Sequence, residues 1–387
     1  MKKTLVAIAA LAAFGAQAQS SVQLDGVVDA GYQSVNYKGN TVNGIAGNGS
    51  STSQLNVRGT SDLGGGLKST FRVETDWNMV SNFANTGTST GVNATTPANS
   101  INGAGGTFGN GEIRVGLESA SMGQIHFGAV NYNTLGTFLT GQPFGTAIGS
   151  GFRTFYINDA QATSSVRAEN AVRIVTPAFS GITASLYKSN KQSKAAAGTA
   201  SATTGLVPQP NAFSGSIGAY DQVGTQEIGL NYANGPIAAS YSSLKQDFIG
   251  ISGVNSSSGA AGGTESTVNT LGANYTMGAA KFFVLNQTNK TNTNSVNNKA
   301  TTLSATYTMG NIVLMGQTGS LKNAAGVKSN FTGYGADYNL SKTTAVYLRA
   351  ESIDDKANAM NAAVTPAQIK GTDTKFARTA LGLRVAF

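Results

Sequence analysis

The chain has 387 residues, no cysteine, and a formal net charge of +8 from 26 Lys and Arg against 18 Asp and Glu. The missing thiols exclude a disulfide framework, a thiolate nucleophile and a zinc–thiolate site, and the lone histidine, His126, leaves no histidine metal cluster. Charged residues are 11% of the chain, about half the share usual in soluble domains.

The first residues read as a targeting segment. Lys2 and Lys3 make a basic start, residues 5–15 form an apolar run too short to span a bilayer, and Ala16-Gln17-Ala18 is a small-x-small cleavage site. Residues 1–18 are therefore expected to be a signal peptide and residues 19–387 the exported mature chain. Removing Lys2 and Lys3 lowers the excess charge to +6. No later segment reaches the ~18 apolar residues of a transmembrane helix.

From there the chain reads as strands. Residues 22–37 place Leu24, Val28, Ala30 and Tyr32 on one face and Gln23, Asp25 and Asp29 on the other. Residues 54–78 read as a hairpin turning at Gly64-Gly65-Gly66. Its apolar face carries Leu55, Val57, Gly59, Leu67, Phe71, Val73 and Trp77; its polar face carries Asn56, Arg58, Lys68, Thr70, Arg72, Glu74 and Asp76. A long uncharged connection follows at 79–111. Residues 112–118 and 124–130 form the next hairpin, and 131–165 is a second long connection, richer in aromatics. Residues 168–177 and 182–189 pair across Phe179-Ser180-Gly181. Later hairpins turn at Gly235-Pro236, Gly278, Gly310 and Ser341-Lys342, and 375–387 closes the chain. The tally is about sixteen strands joined by alternating short and long connections, the pattern of a transmembrane barrel with a lipid-facing exterior and a wet interior.

Two details sharpen this. Tyr232, Tyr275, Tyr307 and Tyr338 each stand three residues before a tight-turn residue, on the apolar face. Tyrosines at one depth suit an interfacial girdle. A propeller or solenoid would share the ~30–45-residue spacing but would not need long polar connections on alternate turns. In the last strand, Leu381, Leu383, Val385 and Phe387 share one face; within hydrocarbon this strand must close against the first. Residues 281–286 and 312–315 are apolar on both faces. A subunit interface or a plugging loop could cover the second face.

Arg58, Arg72 and Arg114 fall on the polar faces of three successive strands, and Arg173 faces the same way further on. They read either as a ladder up one wall or as separate arginines paired with Glu74, Asp76, Glu118 and Glu169. The ladder is favoured because the carboxylates lie nearer the strand ends at the long loops. A row of arginines without facing acids lowers the barrier for anions. Nucleic acid is not an expected partner, since the basic residues are spread singly rather than clustered. Neither a nucleophile elbow nor a phosphate loop is present; Gly64-Gly65-Gly66-Leu67-Lys68-Ser69 lacks the required Gly-Lys-Ser/Thr order. No cofactor is expected, and His126 reads as a lumenal or turn-proximal imidazole.

The segment Arg58-Gly59-Thr60-Ser61-Asp62-Leu63-Gly64-Gly65-Gly66-Leu67-Lys68 resembles the Arg-Gly-x-Glu-Asp-Leu-Gly-Gly-Gly-Leu stretch of trimeric general porins of the beta-proteobacterial outer membrane. Asn170-Ala171-Val172-Arg173 with Pro177 and Phe179, the run Gly335-Ala336-Asp337-Tyr338, and the terminal Phe387 are similar to the same family. The resemblance implies an all-β, 16-stranded antiparallel barrel, a homotrimer in outer-membrane lipid, and a third long loop folded inward as a constriction. By position that loop is 131–165, which brings Tyr132 and Asp159, its single carboxylate, to the pore together with the arginines. Gln142 stands where the family has an acid before Pro143-Phe144-Gly145, and Ala129 stands where an arginine is frequent. The function implied is passive diffusion of small polar solutes, with a preference for anions. A channel selective for one organic anion, using Tyr132, Phe138, Phe144, Phe152, Phe155 and Tyr156 as a track, is the alternative. A surface adhesin displaying its loops would make no demand on lumenal arginines.

Overall fold

The computed structural model describes residues 20–37, 40–76, 108–151, 166–189, 224–247, 265–292, 297–356 and 375–387. The expected signal peptide, Trp77, Asp159, Phe152, Phe155 and Tyr156 lie outside the described residues. Strands run β1 Ser21–Tyr37, β2 Asn40–Gly47, β3 Gln54–Gly64, β4 Leu67–Asp76, β5 Ile113–Ser119 and β6 Gly123–Asn131, followed by helix α1 Asn133–Thr140. Then come β7 Arg167–Val175, β8 Ile182–Ser189, β9 Gly224–Asn234, β10 Ile237–Asp247, β11 Glu265–Met277 and β12 Ala280–Thr291. The remainder are β13 Asn297–Met309, β14 Ile312–Lys322, β15 Lys328–Asn339, β16 Thr344–Asp354 and β17 Lys375–Ala386.

From β3 onward each strand pairs antiparallel with the next, and β17 pairs back onto β1 from Val27↔Ala386 to Tyr37↔Phe376. The ring is sealed at its end by two backbone bonds, Gly26 N–H to Phe387 O and Phe387 N–H to Gly26 O, each 3.0 Å. Seventeen strands make sixteen staves. The first half of β1 pairs with β3 and the second half with β2, so β2 and β3 share one position, interrupted at 48–53. Sequence reading found no strand at 40–47, where Asn, Gly and Thr dilute the pattern.

The alternation places large apolar side chains on the outer surface. Leu24, Tyr32, Phe71, Leu230, Leu271, Leu303, Tyr334 and Leu381 are exposed, while their polar-face neighbours Asp29, Asn56, Thr270 and Thr302 are buried. A closed barrel has no second layer to hide that apolar surface, so lipid must cover it. The described strands β9–β17 have 11 to 13 residues, enough to cross hydrocarbon at a tilt. Tyr275, Tyr307 and Tyr338 are half exposed at the short-turn rim. Gly278 and Gly310 take positive φ in two-residue turns, where a Cβ would be strained.

The doubly apolar stretches are covered from the polar side. Leu285 is fully buried and Phe283 nearly so. Gly141 packs directly on Leu285, and the ring of Phe144 lies beside Met315 and Gly335. The cover is the segment following β6.

Candidate functional site

Residues 132–150 rest along the polar face of the barrel wall, held mainly by residues of that face. Glu227 of β9 accepts the backbone N–H of Asn133 (2.6 Å) and of Thr134 (2.7 Å), and the Thr134 hydroxyl (2.7 Å). A buried carboxylate thus fills the orphan donors at the start of α1, where the helix dipole also favours negative charge. Thr137 bonds Ser240 of β10 at 2.6 Å, and Asn274 of β11 donates to Thr140 O at 2.8 Å. Further along, Gly149 N–H donates to Glu351 of β16 at 2.8 Å and Gln317 of β14 donates to Ser150 O at 3.4 Å. Close approach needs bare backbone opposite: a Cβ on Gly272 would strike Thr137 O, and one on Gly333 would strike Gly149 O.

A second segment, 48–53, meets the first. The buried carboxylate of Asp29 accepts the N–H of Gly49 (3.1 Å), Ser50 (2.9 Å) and Ser51 (2.8 Å) and the Tyr347 hydroxyl (2.7 Å). Thr52 and Thr146 share a bond at 3.3 Å, and Ile148 N–H donates to Gly49 O. Arg349 completes the junction, bonding Ser50 and Asp337.

The turn inside the longer segment explains one departure from the family pattern. Gln142 is buried; its Oε1 accepts Phe144 N–H at 2.6 Å and its Nε2 donates to Gly145 O at 2.8 Å. A carboxylate can do the first but not the second. Gln142→Glu should therefore strand a carbonyl and bury a charge, costing about 1–3 kcal/mol. Thermal unfolding of the purified barrel checks this; an unchanged midpoint would show the clasp to be dispensable.

The arginines come together as a row. Arg58 is the direct cross-strand partner of Arg72, and Arg72 of Arg114. They are not clear of carboxylates, which corrects the favoured sequence reading. Arg58 pairs with Asp25 (2.7 Å); Arg72 with Glu112 (3.0 Å) and with Glu74; Arg114 with Glu118 (3.3 Å) and Glu112 (3.6 Å). The cause is reach. Glu74 is two residues along the strand from Arg72, Glu118 four from Arg114, and a guanidinium spans either gap. Glu118 also stands at the short-turn end, away from the long loops. Two of the expected partners, Glu74 and Glu118, are present; Asp25 and Glu112 were missed, though Asp25 was already on the polar face.

Arg173 opposes His126 in register, approaches its Nδ1 at 3.4 Å, and donates to Asn131 O at 3.2 Å. The buried His126 bonds Glu118 through Nε2 at 2.8 Å. Tyr132 is buried edge-on to Tyr187, 4.9 Å between ring centres, with Val130, Leu244 and Val268. Phe138 and Phe144 are buried as well. The described aromatics of this segment thus anchor it and offer no open track. Among the described residues no group of acids and histidines could hold a metal.

The chain belongs to the Gram-negative porin family, whose model matches residues 4–358. It is therefore an outer-membrane channel for passive diffusion. It is 30% identical over 361 residues to outer membrane porin protein 32 of Delftia acidovorans, covering 90% of this chain and 88% of that one. An outer membrane porin protein of Bordetella pertussis is 30% identical over 268 residues, 63% of this chain and 60% of that one. Among solved structures, the anion-selective porin from Comamonas acidovorans superposes with a TM-score of 0.68 at 24% identity, covering 95% of this chain and all of that one. These relatives are channel proteins.

Proposed function

We propose that this porin is an anion-preferring channel for small hydrophilic solutes, with Arg58, Arg72, Arg114 and Arg173 as its basic wall. In this reading residues 131–165, with Tyr132 as an anchor and Asp159 as the single acid, fold into the lumen and narrow it. The contacts of residues 132–150 with the polar face support that placement. One observation carries the anion preference. In most of the wall's ion pairs the guanidinium is the more exposed partner: Arg58 48% against 32% for Asp25, Arg72 20% against 7% and 5% for Glu74 and Glu112, and Arg114 18% against 5% for Glu112, with Glu118 at 29% the exception. The acids stand behind and the positive heads face water, so an entering anion meets the arginines first. The mature excess of +6 acts in the same direction.

The protein is further read as a homotrimer, exported by residues 1–18, which are cleaved. Its role needs no catalytic group and no cofactor. The Comamonas relative is described as anion-selective and a Vibrio cholerae relative as a trimer. Reversal potentials across a planar bilayer in a salt gradient test the selectivity. An anion-selective sign is expected; a cation-selective sign in the unmodified protein would overturn the reading.

A further inference from the structure

We infer that the outer surface of β13–β15 carries a binding site for the phosphate groups of outer-leaflet lipid, built from Lys299, Lys322 and Lys328. These side chains are exposed, and their sequence neighbours Ala300, Leu321 and Ser329 are buried on the inner face. They therefore point outward, on the same side as the exposed Leu303, Leu314 and Tyr334. Register makes them one row. Lys299 is the direct partner of Lys322, and Lys322 of Lys328.

Like charges directly opposite each other on antiparallel strands repel. Three in succession cost stability unless an anion sits among them. Elsewhere on this rim the protein supplies its own: Lys245 pairs with Glu265 at 2.9 Å and Lys356 with Asp354 at 2.9 Å. No carboxylate pairs with Lys299, Lys322 or Lys328 among the described residues. Nor does the connection between β14 and β15, Asn323-Ala324-Ala325-Gly326-Val327, bring a carboxylate to them. It spans only 323–327 and is closed by Asn323 N–H to Val327 O and Val327 N–H to Asn323 Oδ1, each 3.0 Å.

Depth selects the ligand. On β15, Lys328 is ten residues from Tyr338 of the short-turn girdle, roughly 33 Å along the strand. At a tilt of ~40° this is ~25 Å, the height of the apolar band. The row thus stands at the opposite interface, where the long connections emerge and lipid headgroups lie. Lysine stems can run along the apolar surface while the ammonium groups reach up to phosphate. Charge and depth together commit the site to a membrane lipid rather than a permeating ion.

The test uses the full barrel, stripped of lipid in neutral detergent, with binding of added lipid A followed by native mass spectrometry. Each ammonium near a phosphate is worth roughly fivefold in affinity, so Lys299→Gln/Lys322→Gln/Lys328→Gln should weaken binding by about 100-fold. Lys342→Gln, at the short-turn rim, should leave it unchanged. Lipid A lacking its phosphates should bind the unmodified protein as weakly as the triple variant does. Added lipid A should raise the melting temperature of the unmodified barrel and not that of the triple variant. Equal binding by both proteins, indifference to the phosphates, or displacement by millimolar inorganic phosphate would each overturn the inference.

Discussion

Glu227→Ala is expected to release α1 from the wall, raising single-channel conductance and open-channel noise while the barrel stays folded. The carboxylate accepts two backbone N–H groups and one hydroxyl from Asn133 and Thr134. Alanine leaves those donors without a partner at a helix end, and an unsatisfied buried donor costs about 1–3 kcal/mol. Lumen water would recover part of that, so a net loss of ~2 kcal/mol is a fair scale, which raises the detached population about 30-fold. The barrel ladders do not depend on Glu227, so heat-modifiable electrophoretic mobility should persist. Glu227→Gln should give a smaller effect, since one amide oxygen still accepts. Conductance equal to that of the unmodified protein in Glu227→Ala would show that Thr137–Ser240 and Gly149–Glu351 hold the segment unaided.

The strand staves were legible because lipid and water impose a period of two that few other environments do. Leu303, Ala305 and Tyr307 alternate with Thr302, Ser304 and Thr306, and the structure exposes Leu303 and Tyr307 on the outer face while burying Thr302 and Ser304. The short turns were legible from Gly235, Gly278 and Gly310, and the closure from the apolar run ending at Phe387. The resemblance supplied what the period could not, namely the expectation that a long connection at 131–165 has an interior role. What stayed hidden follows from side-chain reach and from contacts between residues far apart in sequence. Asp29 and Tyr347 are 318 residues apart, and nothing local marks Asp29 as the cradle for 48–53. The polar-face glycines were a usable signal left unread. Gly272 and Gly333 interrupt polar faces where a side chain was expected, and each marks the place where residues 132–150 press against the wall. The arginine row was found by face and strand, yet its carboxylates were misplaced, because alternation fixes which face a side chain takes and not how far its end travels.

Neutralising the wall is expected to have the largest effect on selectivity. Arg58→Gln/Arg114→Gln should shift the reversal potential toward cations, and adding Arg72→Gln should carry it to the cation-selective sign. A unit charge about 6 Å from a permeating ion contributes roughly 0.7 kcal/mol in water, about threefold in permeability. Arg58 is more exposed than Asp25 and Arg114 more exposed than Glu112, while Glu118 is already more exposed than Arg114, so removing the guanidinium groups leaves carboxylates facing the lumen rather than a neutral surface. Arg72 is set apart because its partners Glu74 and Glu112 are buried. Stranding them costs about 3–5 kcal/mol, and its variant needs a folding check before its conductance is interpreted. Arg58 has the cleanest background, since Asn56 still donates to Asp25 at 2.9 Å after the guanidinium is gone. Measurements belong near 0.1 M salt, where the screening length is ~10 Å; at 1 M it falls to ~3 Å and the contrast should fade. A folded triple variant with an unchanged reversal potential at low salt would remove the arginine row from the selectivity mechanism, leaving Arg173 and the charges of the mouth to account for it.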